Sequence, residues 1–196
     1  MNMSRHWGAI VLLSLCMGLA AADDASTEGL AIEDAAPGVF VREAHTELKD
    51  DVYYLQANIE YRFSQPALEA MQKGVPLTVV MRIEILQERN YLWSQKVAAL
   101  EQRYQLSFHA LSQQYMLRNL NSGSQYIFPS LDAARTVLGT IVDLPVIDGN
   151  LLEDGARYTG RLMAELDVDQ LPTPLRLLAL VSKDWQLNSE WYSWPL

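Results

Sequence analysis

The sequence predicts a mainly β domain, an antiparallel β-sandwich-like (immunoglobulin-like) fold with two short helices. The clearest observation is a strict alternation of apolar and polar residues over three segments, because successive side chains of a strand point to opposite faces. No long helical pattern separates these segments, which favours antiparallel pairing. The chain of 196 residues is long enough for one domain with a proper core.

The alternating segments define the predicted strands. In residues 52 to 63, every second position from Tyr53 to Phe63 is apolar or aromatic, and residues 77 to 85 repeat the pattern from Leu77 to Ile85. Residues 158 to 168 repeat the pattern a third time, from Tyr158 to Val168. Each segment therefore predicts a strand with one buried face. Four shorter runs fit the same pattern: 39 to 44, 104 to 109, 114 to 119 and 125 to 128.

Two short helices are predicted between the strands. Pro66 suits a first helical turn, and Gly74 with Pro76 ends the run at Lys73. Ser130 can cap a second helix, in which apolar residues recur at helical spacing as far as Ile141. Residues 87 to 101 stay open between a helix and a long, bent strand.

The N-terminus has the pattern of a secretory signal. Arg5 precedes an apolar stretch over residues 9 to 19, and three alanines end at Ala22 before two aspartates. We therefore predict a signal peptide over residues 1 to 22, a flexible lead over 23 to 38 and a single β-rich domain over 39 to 196. The expected location is the periplasm. The alternative is an uncleaved inner-membrane anchor.

Cysteine content and net charge limit the reactions and the partners that the chain can have. The single cysteine, Cys16, follows a bulky Leu15 where a lipoprotein signal takes a small residue, so we expect cleavage to leave no thiol and no disulfide. The net charge of −9 disfavours nucleic acid and, overall, an anionic lipid surface. We expect no cofactor and no metal, and membrane contact only if the signal segment is retained.

Several segments resemble a protein family as a set. They are residues 67–70, 74–77, 111–115, 130–134, 166–167, 171–176, 182–185 and 189–191. Together they resemble a family of exported proteobacterial proteins, a domain of unknown function, found near sensor kinases of the nitrogen-regulation type. The resemblance implies an export signal and a role in the envelope, and it implies no activity. Arg161 and Arg176 match positions of the family pattern.

The two histidines beyond the predicted signal give weak catalytic or metal signals. His45 lies between Glu43 and Glu47, which favours a solvated strand edge over a metal site because no second histidine or cysteine is near. His109 lies two residues after Ser107 on one predicted strand face. Nevertheless, no Gly-x-Ser-x-Gly turn supplies an oxyanion site.

An acidic cluster is compatible with calcium but has the composition of a turn. Its members are Asp143, Asp148, Glu153 and Asp154. Their spacing matches no EF-hand loop, so we expect turn structure.

The tentative binding residues are aromatic and cationic: Trp185, Trp191, Tyr192, Trp194, Arg161 and Arg176. We expect burial of Trp185 and Trp191, which anchors the chain end, and exposure of Trp194 close to the terminus. The arginines are expected to pair with Asp167 or Glu165 as a structural clamp.

The predicted function is therefore non-catalytic: binding of a protein or peptide partner in the envelope, with a membrane sensor kinase as one candidate, through a sheet edge or an aromatic-lined surface. The alternative is a small-molecule or glycan binding domain. A hydrolase is the third interpretation. An exposed edge strand favours the first, an enclosed pocket the second, and a histidine hydrogen-bonded to serine the third.

Overall fold

We describe the protein from a computed structural model, in which residues 36–89 and 93–196 are described. The predicted signal peptide and residues 23 to 35 of the predicted lead lie outside these ranges. Residues Ala36–Leu196 form one unit. Within the described ranges, no helix is both long and apolar enough to span a bilayer.

The strands of the described residues form two antiparallel sheets. In chain order they are β1 (Gly38–Lys49), β2 (Val52–Arg62), β3 (Leu77–Gln87), β4 (Gln95–His109), β5 (Gln114–Asn119), β6 (Gln125–Phe128), β7 (Thr140–Asp148), β8 (Tyr158–Leu166) and β9 (Tyr192–Pro195). The small sheet has the order β1–β2–β7, and the large sheet has the order β6–β5–β4–β3–β8–β9. The predicted mainly β, antiparallel fold class is confirmed.

Within residues 36–89 and 93–196, three α-helices connect the strands: α1 (Gln65–Gln72), α2 (Leu131–Gly139) and α3 (Thr173–Val181). Ser64 and Ser130 cap the first two, each accepting a hydrogen bond from a backbone N–H three residues later. The sequence predicted α1 and α2 but missed α3. It also extended α2 too far, since Ile141 lies in β7, which pairs with β2. Residues 95 to 101 of the ambiguous segment belong to β4, so its second half is part of a long strand.

The core lies on the inner faces of both sheets. Leu55 and Ile59 of the small sheet join Met81 and Ile83 of the large sheet in one buried cluster. Ala67, Met71, Ala134 and Leu138 add the inner faces of α1 and α2. A fully buried side chain of this size contributes about 1.5–3 kcal/mol to stability, so alternation along the strands is what fixes the two-layer arrangement.

Candidate binding surfaces

The outer face of the large sheet carries an ion-pair network across β4, β3 and β8. Arg82 on β3 pairs with Glu165 on β8 and, at 3.4 Å, with Glu101 on β4. Arg103 then donates to Glu101 at 2.6 Å and to Asp167 at 3.0 Å. The pairs follow the strand register, because Arg82 lies opposite Glu101 in one ladder.

The same network covers an apolar residue. Val80 points to the outer face by alternation, lies opposite Arg103 and Glu165, and is nevertheless buried. Long charged side chains can cover apolar surface with their stems while their charged ends stay in water. The network is therefore a packed layer of the fold, with no cation or anion of the group left without a partner.

Glu84 is the most enclosed acid of this face. It accepts hydrogen bonds from Lys96 at 3.0 Å and from Arg161 Nε at 2.8 Å. Burial alone would raise the pKa of the Glu84 carboxyl, but the hydrogen bonds and charges of Lys96 and Arg161 outweigh it and lower the pKa. Glu84 is therefore held in its charged form.

Arg161 brings one predicted aromatic residue to this face. Its guanidinium lies 4.3 Å from the ring centroid of Trp191, a cation–π contact. Trp191 is 38% exposed, so its predicted burial is wrong. The predicted partners of Arg161 are also wrong, because Glu165 and Asp167 bind Arg82 and Arg103, and Arg161 binds Glu84.

Arg176 lies apart from this group, at the start of α3. It donates to the backbone carbonyl of Asp169 at 3.2 Å and approaches Thr173 Oγ1 at 3.5 Å. These local contacts join α3 to the short 3-10 turn before it. The predicted clamp with Asp167 or Glu165 is absent from the contacts of the described residues.

The other C-terminal aromatics serve the core. Trp185 is buried as predicted. Trp194 is only 5% exposed, against the prediction, and its Nε1 donates to Thr46 Oγ1 of β1 at 3.2 Å. Its ring lies over Gly160 of β8, where an added Cβ would come within 2.5 Å of it. Trp194 therefore ties β9 and β8 to β1.

Tyr192 and Trp191 line a shallow groove beside β1. Its walls include Val39, Phe40 and Asn188, and its volume is about 460 Å³. Phe40 itself is flanked by the guanidinium groups of Arg42 and Arg62 at 5.1 and 4.9 Å from its ring centroid. Of the predicted aromatic set, only these two residues share an accessible surface.

The histidines lie on the surface. His45 approaches Glu43 at 3.6 Å and Glu47 at 3.8 Å, as its position between them predicts. His109 Nδ1 is 3.1 Å from the hydroxyl of Ser112, three residues later in the β4–β5 turn. The serine that meets His109 is therefore not Ser107. In the described ranges, no carboxylate contacts this pair.

The acidic cluster is turn structure. Asp143 accepts from Lys49 at 2.8 Å and from Gln56 at 2.7 Å, and these two bonds lower its pKa. Asp148 caps the 3-10 turn over Gly149–Leu151. Across residues 36–89 and 93–196, no three acidic, histidine or cysteine side chains form a group that could hold a metal ion.

Among the residues that the structure describes, the two sheets have four edges, which differ in how they are protected. β1 carries charged residues and a bulge between Val41 and Glu43. β7 has two register shifts against β2, a left-handed Asp143 with φ 49° and Pro145. β9 is four residues long and ends in Pro195. Charges, bulges, proline and short length are the usual means of preventing an edge from pairing with another chain.

β6 lacks all of these devices except short length. Its four residues, Gln125–Phe128, carry no charge and no proline, and they pair with β5 without a register shift. Tyr126 and Ile127 are 53% and 60% exposed. Beside Ile127 lies an open depression of about 190 Å³ that Met116 and His109 also line. Sequence reasoning placed this strand but missed its edge position, which depends on the pairing order.

These features define a class: an antiparallel two-sheet β domain whose described residues form an ion-paired outer face and one unprotected sheet edge. The chain belongs to the family described as a domain of unknown function, DUF4390, whose model matches residues 36–195. The expected membership of such a family is thereby confirmed. No curated protein and no solved structure matches the chain.

Proposed function

We propose that the protein is a non-catalytic binding domain in the periplasm and that it binds an extended segment of a partner protein at the free edge of β6. The observation that carries the proposal is the contrast among the four edges in the described part of the chain, of which β6 alone has an uncharged, proline-free and unbulged strand. An edge strand presents a row of unpaired N–H and C=O groups, which can pair with a strand of another chain.

The side chains around β6 supply the specificity. Ile127 lies opposite Met116 on one face of the sheet, and Tyr126 lies opposite Leu117 on the other. A strand added to β6 would place alternate side chains on these two faces. The depression beside Ile127 would receive an apolar side chain on the outer face, and Tyr126 would pack against one on the inner face.

The resemblance noted in the sequence supports the choice of a first partner. A membrane sensor kinase of the nitrogen-regulation type is the candidate to test first, because genes of the resembled family lie near such kinases. This support is an association, so the experiment starts from the contact itself and allows any envelope protein to be recovered.

A photo-crosslinking amino acid at position 127 tests the contact in living cells that express the full chain. The matched control carries it at Val142, an exposed aliphatic residue on the protected edge β7. We expect one discrete envelope protein to crosslink at 127 and not at 142. Equal products at both positions, or none at 127, would contradict the proposal.

A charge on the edge gives a second, quantitative test. Ile127→Lys should weaken binding of the recovered partner about tenfold or more, because a lysine blunts an edge strand. The control, Val142→Lys, should leave binding unchanged. Hydrogen exchange adds a direct readout, since an added strand should protect outward-facing β6 amides. Unchanged exchange in the complex would exclude strand addition.

The groove at Trp191 supports a second candidate, a glycan or small-molecule site. One face of the Trp191 ring contacts Arg161, and an exposed indole next to polar groups such as Asn188 and Glu190 can stack on a sugar ring. Titration of soluble glycans against the intrinsic tryptophan fluorescence of the protein and of Trp191→Leu tests it. A response that Trp191→Leu retains would contradict this candidate.

A further inference from the structure

Arg118 is an exposed cation beside the free edge of β6. It lies on β5, directly opposite Gln125 of β6. Its neighbour Leu117 is buried in the core, so by alternation Arg118 points to the outer face of the large sheet. Ile127, with the depression beside it, lies on the same face two residues further along β6. A cation and an apolar depression therefore lie side by side at this edge.

Arg118 differs from the cations on the other strands of this face. Those on β3, β4 and β8 are each paired with a carboxylate: Arg82, Lys96, Arg103 and Arg161. Among residues 36–89 and 93–196, Arg118 has no such partner. Residues 104 to 131, which include β5 and β6, contain no acidic residue, and Asp132 just beyond them pairs with Arg135. The described part of the domain therefore leaves the positive charge beside β6 without a counter-charge.

Arg103 shows that an arginine of this sheet can reach over one strand to a carboxylate beyond it. It lies on β4 opposite Val80 of β3, and its Nη1 donates at 3.0 Å to Asp167, just past the end of β8. Neighbouring strands lie about 4.8 Å apart, and a strand added at β6 would stand in the same relation to β5. Gln125 would take the intervening place of Val80. Arg118 can therefore reach a carboxylate that the added strand carries opposite Gln125.

We propose that the segment bound at β6 carries an acidic residue opposite Gln125, two positions from an apolar residue opposite Ile127. The acidic side chain pairs with Arg118, and the apolar side chain enters the depression. An antiparallel addition continues the pairing of the large sheet, so the segment reads apolar, apolar, acidic along its chain, with the middle residue facing Tyr126. This inference rests on the proposed function and deepens it, because it states the chemical class of the partner segment.

A displayed library of random decapeptides, selected on the purified full chain, tests this sequence pattern. The wild-type chain should enrich peptides in which two adjacent apolar residues are followed by aspartate or glutamate. Arg118→Glu should enrich peptides with lysine or arginine at the acidic position, because the charge that faces it is reversed. The matched control is Lys73→Glu, which reverses an exposed cation at the end of α1 and should enrich the wild-type set.

Ile127→Lys separates this inference from the proposed function, since it should abolish the enrichment of both peptide sets. Apolar peptides that lack a preferred acidic position and are lost with Ile127→Lys would overturn the inference and leave the proposed function standing. Peptides that Ile127→Lys retains, or no enrichment on the wild-type chain, would overturn both. An acidic position that Arg118→Glu still selects would overturn the inference, because the carboxylate would then bind another group.

One enriched peptide, synthesised with its acidic residue and with the matching amide in that place, measures the contact. The amide form should bind the wild-type chain about two- to fivefold more weakly, the range of an exposed ion pair, and high salt should reduce this difference. Arg118→Gln should bind both forms equally and keep the wild-type melting temperature, because the replaced side chain is exposed. The same two- to fivefold difference on Arg118→Gln would overturn the proposal.

Discussion

The two edges of the large sheet, β9 and β6, have the same length and opposite surroundings. β9 is tied to the rest of the fold by Trp194, which covers Gly160 and donates to Thr46 of β1. β6 ends the sheet on the other side with Tyr126 and Ile127 exposed. The comparison shows that aromatic content alone does not identify a binding surface. An edge strand is buried where the small sheet packs against it, as β1 does at β9, and its side chains are exposed where no such packing occurs.

The largest expected effect is at the closed edge. Trp194→Ala should lower the free energy of unfolding by about 3–5 kcal/mol, because it opens a cavity between the sheets and leaves Thr46 without its donor. Trp191→Ala, three residues earlier, should cost about 0.5–1 kcal/mol, the range of an exposed cation–π contact. Urea unfolding measures both. Equal losses would mean that the burial difference between these residues is wrong.

A smaller loss of stability is expected from substitution of Gly160, which the Trp194 ring covers. Gly160→Ala should cost about 1–3 kcal/mol through overpacking, because its Cβ would come within 2.5 Å of the indole. Trp194→Phe provides the matched test, since a smaller ring leaves room. The double variant should be more stable than the sum of the two single losses predicts. Strict additivity would show that the two sites do not touch.

Glu84 lies on β3, between these two edges, and should make the stability of the domain depend on pH. The pKa of its carboxyl is lower in the folded chain than in the unfolded chain, so its contribution to stability is present above about pH 4.3 and is lost as the pH falls through the folded value. Glu84→Gln should cost about 1 kcal/mol at pH 7 and reduce the loss of stability in acid. Glu190→Gln is the control. An unchanged acid transition in Glu84→Gln would contradict the assignment.

The smallest effect on stability is expected at the open edge. Ile127→Lys should change the free energy of unfolding by less than about 0.5 kcal/mol, because the side chain is largely in solvent already. The value of this variant is that it separates folding from binding. A loss above 1 kcal/mol would show that Ile127 supports the fold, and a defect in partner binding would then no longer report on the edge.

Much of the fold could be predicted from local patterns. Of the nine strands in the described ranges, alternation placed seven and missed β7 and β9. The caps Ser64 and Ser130 fit helices with clear start signals. The missed helix, α3, begins after Pro172 and has no side-chain cap of the kind that Ser64 and Ser130 provide. The overextended helix α2 ends at Gly139, where an added Cβ would meet the carbonyl oxygen of Ile59 at 2.0 Å. The glycine and the β-branched residues after it, Thr140 to Val142, were a local stop signal that the prediction overlooked.

The predicted burial of the site residues was only partly right, because it also depends on contacts between distant residues. The predicted burial of Trp185 was correct. The predictions for Trp191 and Trp194 were the wrong way round, since Trp191 is exposed and Trp194 is buried. Side chains near a chain end alternate between inside and outside, and a shift of one residue in register reverses them. The register that decides this is the pairing of Trp194 with Gly160, across 34 positions of the chain.

The sequence by itself determined most of the segments that become strands, which face of each is buried and which family the domain resembles, because these follow from periods and motifs within short windows. Only the tertiary structure decided that β6 lies at an edge and that Arg161 pairs with Glu84. Strand order and ion-pair partners depend on contacts between residues far apart in the chain, and no local pattern records them.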